Sequence, residues 1–134
     1  LSNFKYRKNK AVIHSDESVM PKNRKAWCSW NSSLNPTNNQ QSSVTYWLNQ
    51  LQNLKINKNI FLTINPFFNI NPALIYNTID FTHPYYDEKA LKNQSKLSSI
   101  QNINNTLYAG SYFGYGFHED GIKSSIEMLK TLND

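Results

Sequence analysis

All four glycines of this chain lie in one short window, YAGSYFGYGFHEDGIKSS at residues 108–125. They are Gly110, Gly114, Gly116 and Gly121, and an amphipathic pattern follows them directly. Glycine lets the backbone approach a neighbouring group without a Cβ in the way. A helix N-terminus adds free N–H groups and a partial positive charge. The window predicts either a tight connection or a backbone surface for a phosphate or a flat ring, and spacing alone leaves both open.

The composition favours a folded domain with an anionic partner as one option. The chain has 134 residues, of which 39% are hydrophobic and 13% aromatic, which argues against a long disordered segment. Its formal net charge is +5, and the excess lies near the start, at Lys5, Arg7, Lys8, Lys10, Lys22, Arg24 and Lys25. A solvated strand face and loop is the simpler explanation of this stretch. Because the sequence carries no nucleic-acid-binding signature, we expect no nucleic acid as partner.

Cysteine and histidine give no metal site in the sequence. The single cysteine, Cys28, excludes an internal disulfide, and we expect it to be packed within a strand. His14 and Asp16 share one face of a possible strand, but a metal would need a third ligand that the sequence does not identify. We therefore expect no metal.

The remaining signals concern location. The sequence has no apolar run of membrane-spanning length and no signal peptide, so we expect no membrane span and a cytoplasmic protein. The chain begins at a leucine, which suggests truncation or processing.

Alternating patterns predict a mostly antiparallel sheet in the first part of the chain. The predicted strands cover residues 10–15, 26–33, 44–48, 59–66 and 73–84. In the second of them, Ala26, Cys28 and Trp30 would share one face. The segment after Val44 also fits helical spacing, and its β-branched start favours a strand.

The pattern changes after the fifth predicted strand. Asp87 is a plausible N-cap for a helix over residues 88–100, and a short strand is expected at 105–110. After the glycines, apolar residues recur at helical spacing along one face, at Ile122, Ile126, Leu129 and Leu132. The sequence therefore predicts an α+β fold: an antiparallel or mixed sheet over residues 1–81, then helix–strand–helix over residues 82–134.

Three segments resemble, in order, the C-terminal part of bacterial FAD-dependent amine-oxidase-like flavoproteins. They are HSDESVMPKNRKAWCSWN, VTYWLNQLQNL and YAGSYFGYGFHEDGIKSSIEMLKTL. This NAD/FAD-binding oxidoreductase family is related to monoamine oxidases and phytoene desaturases. The resemblance extends from about Ala11 to Leu132, and GYGFHEDG is its most specific part.

The resemblance implies a division of the chain and a set of site residues. Residues 1–81 would belong to a substrate-binding sheet domain, and residues 82–134 would complete a Rossmann-type FAD domain. The family's last flavin motif falls on Gly110, Ser111, Glu119, Asp120 and Gly121, and Tyr115, Phe117 and His118 would lie nearest the substrate. The intact enzyme would transfer a hydride from a C–N or C–C bond to the flavin. No residue here is a convincing catalytic acid or base.

Two departures from the family pattern define the expected partner. Ser111 stands where many relatives carry an acid, and the N-terminal GxGxxG motif is absent. We therefore expect a fragment, inactive alone, that needs a missing N-terminal FAD-domain segment or a separate polypeptide carrying it. Apolar surface left uncovered would favour a homo-oligomer. The alternative is a non-catalytic binding module that uses an aromatic-rich sheet and the basic N-terminal stretch.

Overall fold

The computed structural model describes residues 1–132, which form an α+β fold around a five-stranded sheet. Its strands are β1 (Lys5–His14), β2 (Trp30–Asn35), β3 (Asn38–Trp47), β4 (Phe61–Ile64) and β5 (Ile75–Tyr85). The strand order is β2-β3-β4-β1-β5, and the pairs β2–β3, β3–β4 and β1–β4 are antiparallel. The general α+β prediction is therefore confirmed.

Three α-helices complete the regular structure of the described residues: α1 (Leu48–Leu51), α2 (Glu88–Gln94) and α3 (His118–Lys130). Asp87 caps α2 as predicted, because its Oδ1 accepts a hydrogen bond from the N–H of Ala90 at 2.8 Å. The helix ends at Gln94, and Ser98–Ile100 forms a separate 3₁₀ turn. None of the described helices is long and apolar enough to cross a bilayer.

The chain divides into two compact units. We call Lys8–Thr82 the sheet unit, and the second unit, which joins Leu1–Arg7 to the described residues from His83 onward, the helical unit. The strands β1 and β5 contribute residues to both. The assignment of the helical unit to a Rossmann-type FAD domain remains a prediction.

The predicted second strand begins later than expected. Arg24–Ala26 forms a 3₁₀ turn, because Asn23 Oδ1 accepts a hydrogen bond from the N–H of Lys25 at 3.0 Å. Only from Trp30 is the backbone in β2. Cys28 is exposed, so the prediction of a packed strand cysteine was wrong.

The predicted strand at residues 105–110 is absent. An isolated bridge joins Ile103 to Thr106, and no strand follows it before the glycine window. Asn102, Asn104 and Asn105 have φ values of 57°, 54° and 55°, a left-handed conformation that ends extended pairing. The expected helix–strand–helix order is therefore replaced by helix, turns and helix.

One face of the sheet buries polar side chains beside apolar ones such as Phe61, which is 0% exposed. Val12, Thr63 and Thr45 are cross-strand partners on β1, β4 and β3, and each is at most 4% exposed. Thr63 Oγ1 lies 2.8 Å from His14 Nε2 and 2.9 Å from Thr45 Oγ1. Side-chain hydrogen bonds thus satisfy these buried groups from strand to strand.

The opposite face of the sheet carries a row of apolar side chains that is more exposed. One cross-strand row consists of Trp30, Tyr46, Leu62 and Ile13, from β2 to β1. Trp30 at the sheet edge is 66% exposed, and its ring meets that of Tyr46 edge-on at 5.6 Å between centroids. Leu62 and Ile13 are half-buried. Apolar residues therefore become more exposed toward the β2 edge.

Candidate functional site

The glycine window is a loop tied to the two long helices of the helical unit by side-chain hydrogen bonds. Gln94 Nε2, at the end of α2, donates to the carbonyls of Tyr112 at 3.2 Å and Gly114 at 2.6 Å. Ser124 Oγ, on α3, accepts from the N–H of Gly110 at 2.8 Å. Since the loop contains no strand, these contacts rather than a β-ladder fix its path.

Asp120 organises the start of α3. Its Oδ2 accepts hydrogen bonds from the N–H of Tyr115 at 2.9 Å and of Phe117 at 3.0 Å. Phe117 is the N-cap residue, so the second bond is one half of a capping box. The carboxylate also lies where the positive end of the helix dipole favours negative charge. Asp120 thus holds the loop and helix in one arrangement.

Three of the four glycines are required by side chains of the chain itself. A Cβ on Gly110 would lie 2.5 Å from the ring of Tyr112, and one on Gly114 would overlap the carboxylate of Asp120. Gly116 has a φ of +95°, and a Cβ there would lie 2.9 Å from the hydroxyl oxygen of Tyr86. These three positions fit the interpretation of the window as a tight connection.

Gly121 is different. It lies in the first turn of α3, and the nearest atom to an added Cβ would be the backbone nitrogen of Ser111, at 3.7 Å. That is an ordinary van der Waals distance, so the described residues would accommodate alanine. Glycine inside a helix costs about 1 kcal/mol relative to alanine. The described residues would thus place a Cβ here in ordinary contact with the backbone of Ser111, and internal packing gives no reason for the cost of the glycine.

The three residues predicted to lie nearest the substrate are all on the surface. Tyr115 is 79% exposed and Phe117 is 69% exposed, while His118 opens α3 and is also exposed. Glu119, predicted to face the flavin, is exposed and lies 3.6 Å from Lys123 in an ion pair along the helix. The structure therefore places these side chains around the start of α3, pointing away from the core.

The apolar face of α3 is also uncovered. Ile122, Ile126 and Leu129 are each more than 50% exposed, at 57%, 52% and 53%. The side of α3 that packs inward carries Ser124, which is buried, and the half-buried Met128. The helical spacing predicted from the sequence is correct, but the apolar stripe faces outward.

Tyr86 supports the loop as a neutral hydrogen-bond donor. Its hydroxyl donates to the carbonyl of Ser111 at 3.3 Å. Burial raises the pKa of Tyr86, and the negative charge of Asp120 raises it further. Sequence reasoning missed Tyr86, Gln94 and Ser124, since nothing in their local pattern indicates a partner about 14 to 25 positions away.

No group of three or more His, Cys, Asp or Glu side chains suited to a metal is found among the described residues. His14 and Asp16, considered above as ligands, instead bond to each other, because the N–H of Asp16 donates to His14 Nδ1 at 3.1 Å. Comparison of the chain with protein-family models and with curated proteins gives no match.

Proposed function

We propose that this chain is the C-terminal portion of an FAD-dependent, amine-oxidase-like oxidoreductase, with the glycine window on the flavin side. The observation that supports this most directly is Gly121, because the chain's own packing does not require a glycine at this helical position. A flat ring or ribityl chain passing over the first turn of α3 would explain why a side chain is excluded there.

Four of the five predicted flavin contacts divide into two kinds under this proposal, and the fifth, Glu119, is exposed and paired with Lys123. Gly110, Ser111 and Gly121 would offer backbone to the cofactor. Asp120 would act as a positioning residue, because its carboxylate is already bonded to the N–H groups of Tyr115 and Phe117. Flavin, when bound, supplies the acceptor for a hydride equivalent from the substrate. The chain's own contribution is to hold the loop and to exclude side chains from that surface.

The outward face of α3 supports the second half of the proposal. The apolar stripe formed by Ile122, Ile126 and Leu129 is exposed to water. This exposure costs free energy in proportion to the apolar area. Helices that finish a doubly wound domain bury such a stripe against a sheet. We propose that the N-terminal segment of an FAD domain, in the same polypeptide or a separate one, covers this face. The oxidoreductase activity depends on that segment.

The test is flavin retention by this chain alone and together with the polypeptide encoded upstream of it. Each preparation is incubated with FAD, desalted and examined by absorbance. We expect the chain alone to be colourless and the assembled protein to keep a structured flavin band. An assembled protein that retains no flavin would overturn the proposal.

The variant Gly121→Ala sharpens the test because its expected effects on folding and on flavin binding have opposite signs. In the chain alone, alanine is expected to raise the free energy of unfolding by about 0.5–1 kcal/mol through helix propensity. In the assembled protein it should lower flavin retention. Lys130→Ala, an exposed change in the last turn of the same helix, is the control and should leave retention unchanged. Equal retention by the Gly121→Ala variant and the wild type would contradict a flavin over this turn.

A further inference from the structure

The two outer strands of the sheet, β2 and β5, differ in how their free edges are protected. β5 carries the charged Asp80 and also Pro84, which has no N–H, and both features discourage a sheet edge from pairing with another chain. β2 has the sequence WNSSLN, without a charged residue or a proline. Among residues 1–132, no strand pairs with the outer side of β2. This edge can therefore accept a further strand.

The register of β2 determines which of its backbone groups point outward. The N–H of Trp47 donates to the carbonyl of Ser29 at 3.0 Å, so these two residues form a hydrogen-bonded pair. Hydrogen-bonded and non-hydrogen-bonded pairs alternate along an antiparallel ladder. Every second residue of β2 therefore directs its N–H and C=O away from β3, and these residues are Trp30, Ser32 and Leu34.

The same three residues have exposed side chains on one face of the sheet. Trp30 is 66% exposed and Leu34 is 69% exposed, and Ser32 between them is exposed as well. The edge thus combines unpaired backbone groups with two large apolar side chains. Strand addition uses these two features, because main-chain hydrogen bonds provide affinity and alternate side chains provide specificity.

Two copies of β2 are complementary to each other about a two-fold axis at Ser32. In an antiparallel arrangement, Ser32 then faces Ser32 of the second copy, and Trp30 faces Leu34 of the second copy. Each of these pairs exchanges two N–H···O=C bonds, and the apolar side chains meet in cross-strand contacts. An axis at Asn31 or Ser33 would leave fewer outward-pointing pairs within β2. Since β2 is uncharged, the two copies meet without like-charge repulsion.

We propose that β2 pairs with β2 of a second copy of this chain, which joins the two sheets across a two-fold axis. Six residues give an edge about 20 Å long, and its pairing buries roughly 800 Å² in total. Stable complexes bury about 1,200 Å² or more, so this dimer is weak and forms as the protein concentration rises. The proposal does not rest on the flavin site, because β2 belongs to the sheet unit.

The first experiment is analytical ultracentrifugation of the chain from about 5 to 500 µM. The mass should rise from monomer toward dimer. Ser32→Pro removes an N–H that does not bond to β3, so the fold should persist, as circular dichroism measures, while the dissociation constant rises at least about tenfold. Ser32→Lys should have the same effect, because it places two ammonium groups opposite each other. Ser32→Ala is the control and should stay within about twofold of the wild type.

A second experiment tests the position of the axis by disulfide formation in a Cys28→Ser background. Ser32→Cys places the two thiols opposite each other with Cα atoms about 5.5 Å apart, within disulfide range, so mild oxidation should give a covalent dimer. Ser42→Cys, an exposed position on β3, is the matched control. Its two copies would lie about 20 Å apart and should not link.

Three results would overturn the proposal. The first is a wild-type chain that stays monomeric over the whole concentration range. The second is a dimer that survives both Ser32→Pro and Ser32→Lys, or that is lost instead in Ile126→Ser, since the contact would then lie elsewhere. The third is equal linking of Ser32→Cys and Ser42→Cys, which would indicate random collision of exposed thiols.

Discussion

The sheet unit and the last helix both bury polar side chains and expose apolar ones, but they do so in different ways. In the sheet, His14, Thr63 and Thr45 are at most 1% exposed and bond to one another across three strands. In α3, the buried Ser124 bonds instead to backbone, accepting from Gly110 and donating to the carbonyl of Gly121. In the sheet, these three buried polar side chains thus bond to one another, whereas in α3 the buried polar side chain bonds to the backbone of the preceding loop and of its own helix.

This difference in bonding indicates which region is stabilised mainly by its own side chains. Removing a sheet hydroxyl leaves another buried side chain without a partner, so its effect is contained in the sheet unit. The helix has its small residues inside and Ile122, Ile126 and Leu129 outside, so the described residues leave its apolar face without packing contacts, and under the proposed function a partner would supply them. Changes to the outer face of α3 should therefore affect assembly far more than folding.

The largest expected effect is in the sheet. Thr63→Val keeps the side-chain shape but removes the hydroxyl that lies between His14 and Thr45. Two buried polar groups then lack a partner, and the free energy of unfolding should fall by about 3 kcal/mol. Urea unfolding measures this. Thr78→Val, at an exposed position of β5, is the control and should change it by less than about 0.5 kcal/mol. Similar losses in both variants would mean that the network contributes little.

The next effect is in the glycine window. Gly116→Ala forces a Cβ onto a backbone with φ of +95° and into contact with the hydroxyl of Tyr86. We expect a loss of about 2 kcal/mol by thermal unfolding. Gly121→Ala in the same assay should have the opposite sign, as given above. If both substitutions destabilised the chain alike, the conclusion that alanine fits at Gly121 would be wrong.

A pH effect should also distinguish the sheet from the helix. Burial lowers the pKa of His14 from its ordinary 6.5, although the charge of Asp16 opposes this. Between the folded pKa and 6.5 the unfolded chain binds more protons, so stability should fall as the pH falls through that window. His14→Gln should remove this slope, measured by urea unfolding at several pH values. An unchanged slope would assign it to other groups.

Asp16 should act at lower pH in the same direction. Burial alone would raise its pKa, but hydrogen bonds from the N–H groups of Asn71 and Ser18 outweigh this and lower it below 3.8. A carboxylate with a depressed pKa stabilises the fold above its unfolded value, and that stability is lost as pH falls through the folded pKa. Asp16→Asn should therefore reduce the loss of unfolding free energy with falling pH only at pH values below the range in which His14 titrates.

The smallest expected effect is on the outer face of α3. Ile126→Ser should change the stability of the chain alone by less than about 0.5 kcal/mol, because its side chain is already half in water. Ser124→Ala, on the inner face, should cost about 1 kcal/mol through the lost bond to Gly110. With the upstream polypeptide present, the order should reverse, and Ile126→Ser should weaken assembly more. Circular dichroism and co-purification measure the two outcomes.

Local sequence patterns predicted the helices and strands better than they predicted what packs against them. The Asp87 cap and the strands around Phe61 and Ile75 follow from side-chain chemistry within a few residues. The turn at Arg24–Ala26 was missed because the alternating tryptophans suggested a strand, while Asn23 and Asn31 bond to the backbone there. Periodicity located the apolar stripe of α3, but it does not specify what covers that stripe.

The candidate site was predictable to the same degree. Glycine clustering marked the loop, and acidic residues marked the start of α3. The contacts that distinguish Gly121 from the other glycines depend on Tyr86, Tyr112 and Asp120, and only the three-dimensional path of the loop brings these side chains to the glycines. Long-range packing of this kind leaves no short-range pattern in a single sequence.

The order of strands also constrains how the sheet is made. β1 leaves the ribosome before the other four strands of this sheet, yet β4 pairs with it, and His14 and Thr63 are 49 positions apart. The β2–β3 hairpin needs only its own short turn and forms as soon as it emerges. During synthesis, β1 therefore stays unpaired with β4 until β4 has been made. Over that time its basic side chains and its apolar C-terminal end are exposed to water.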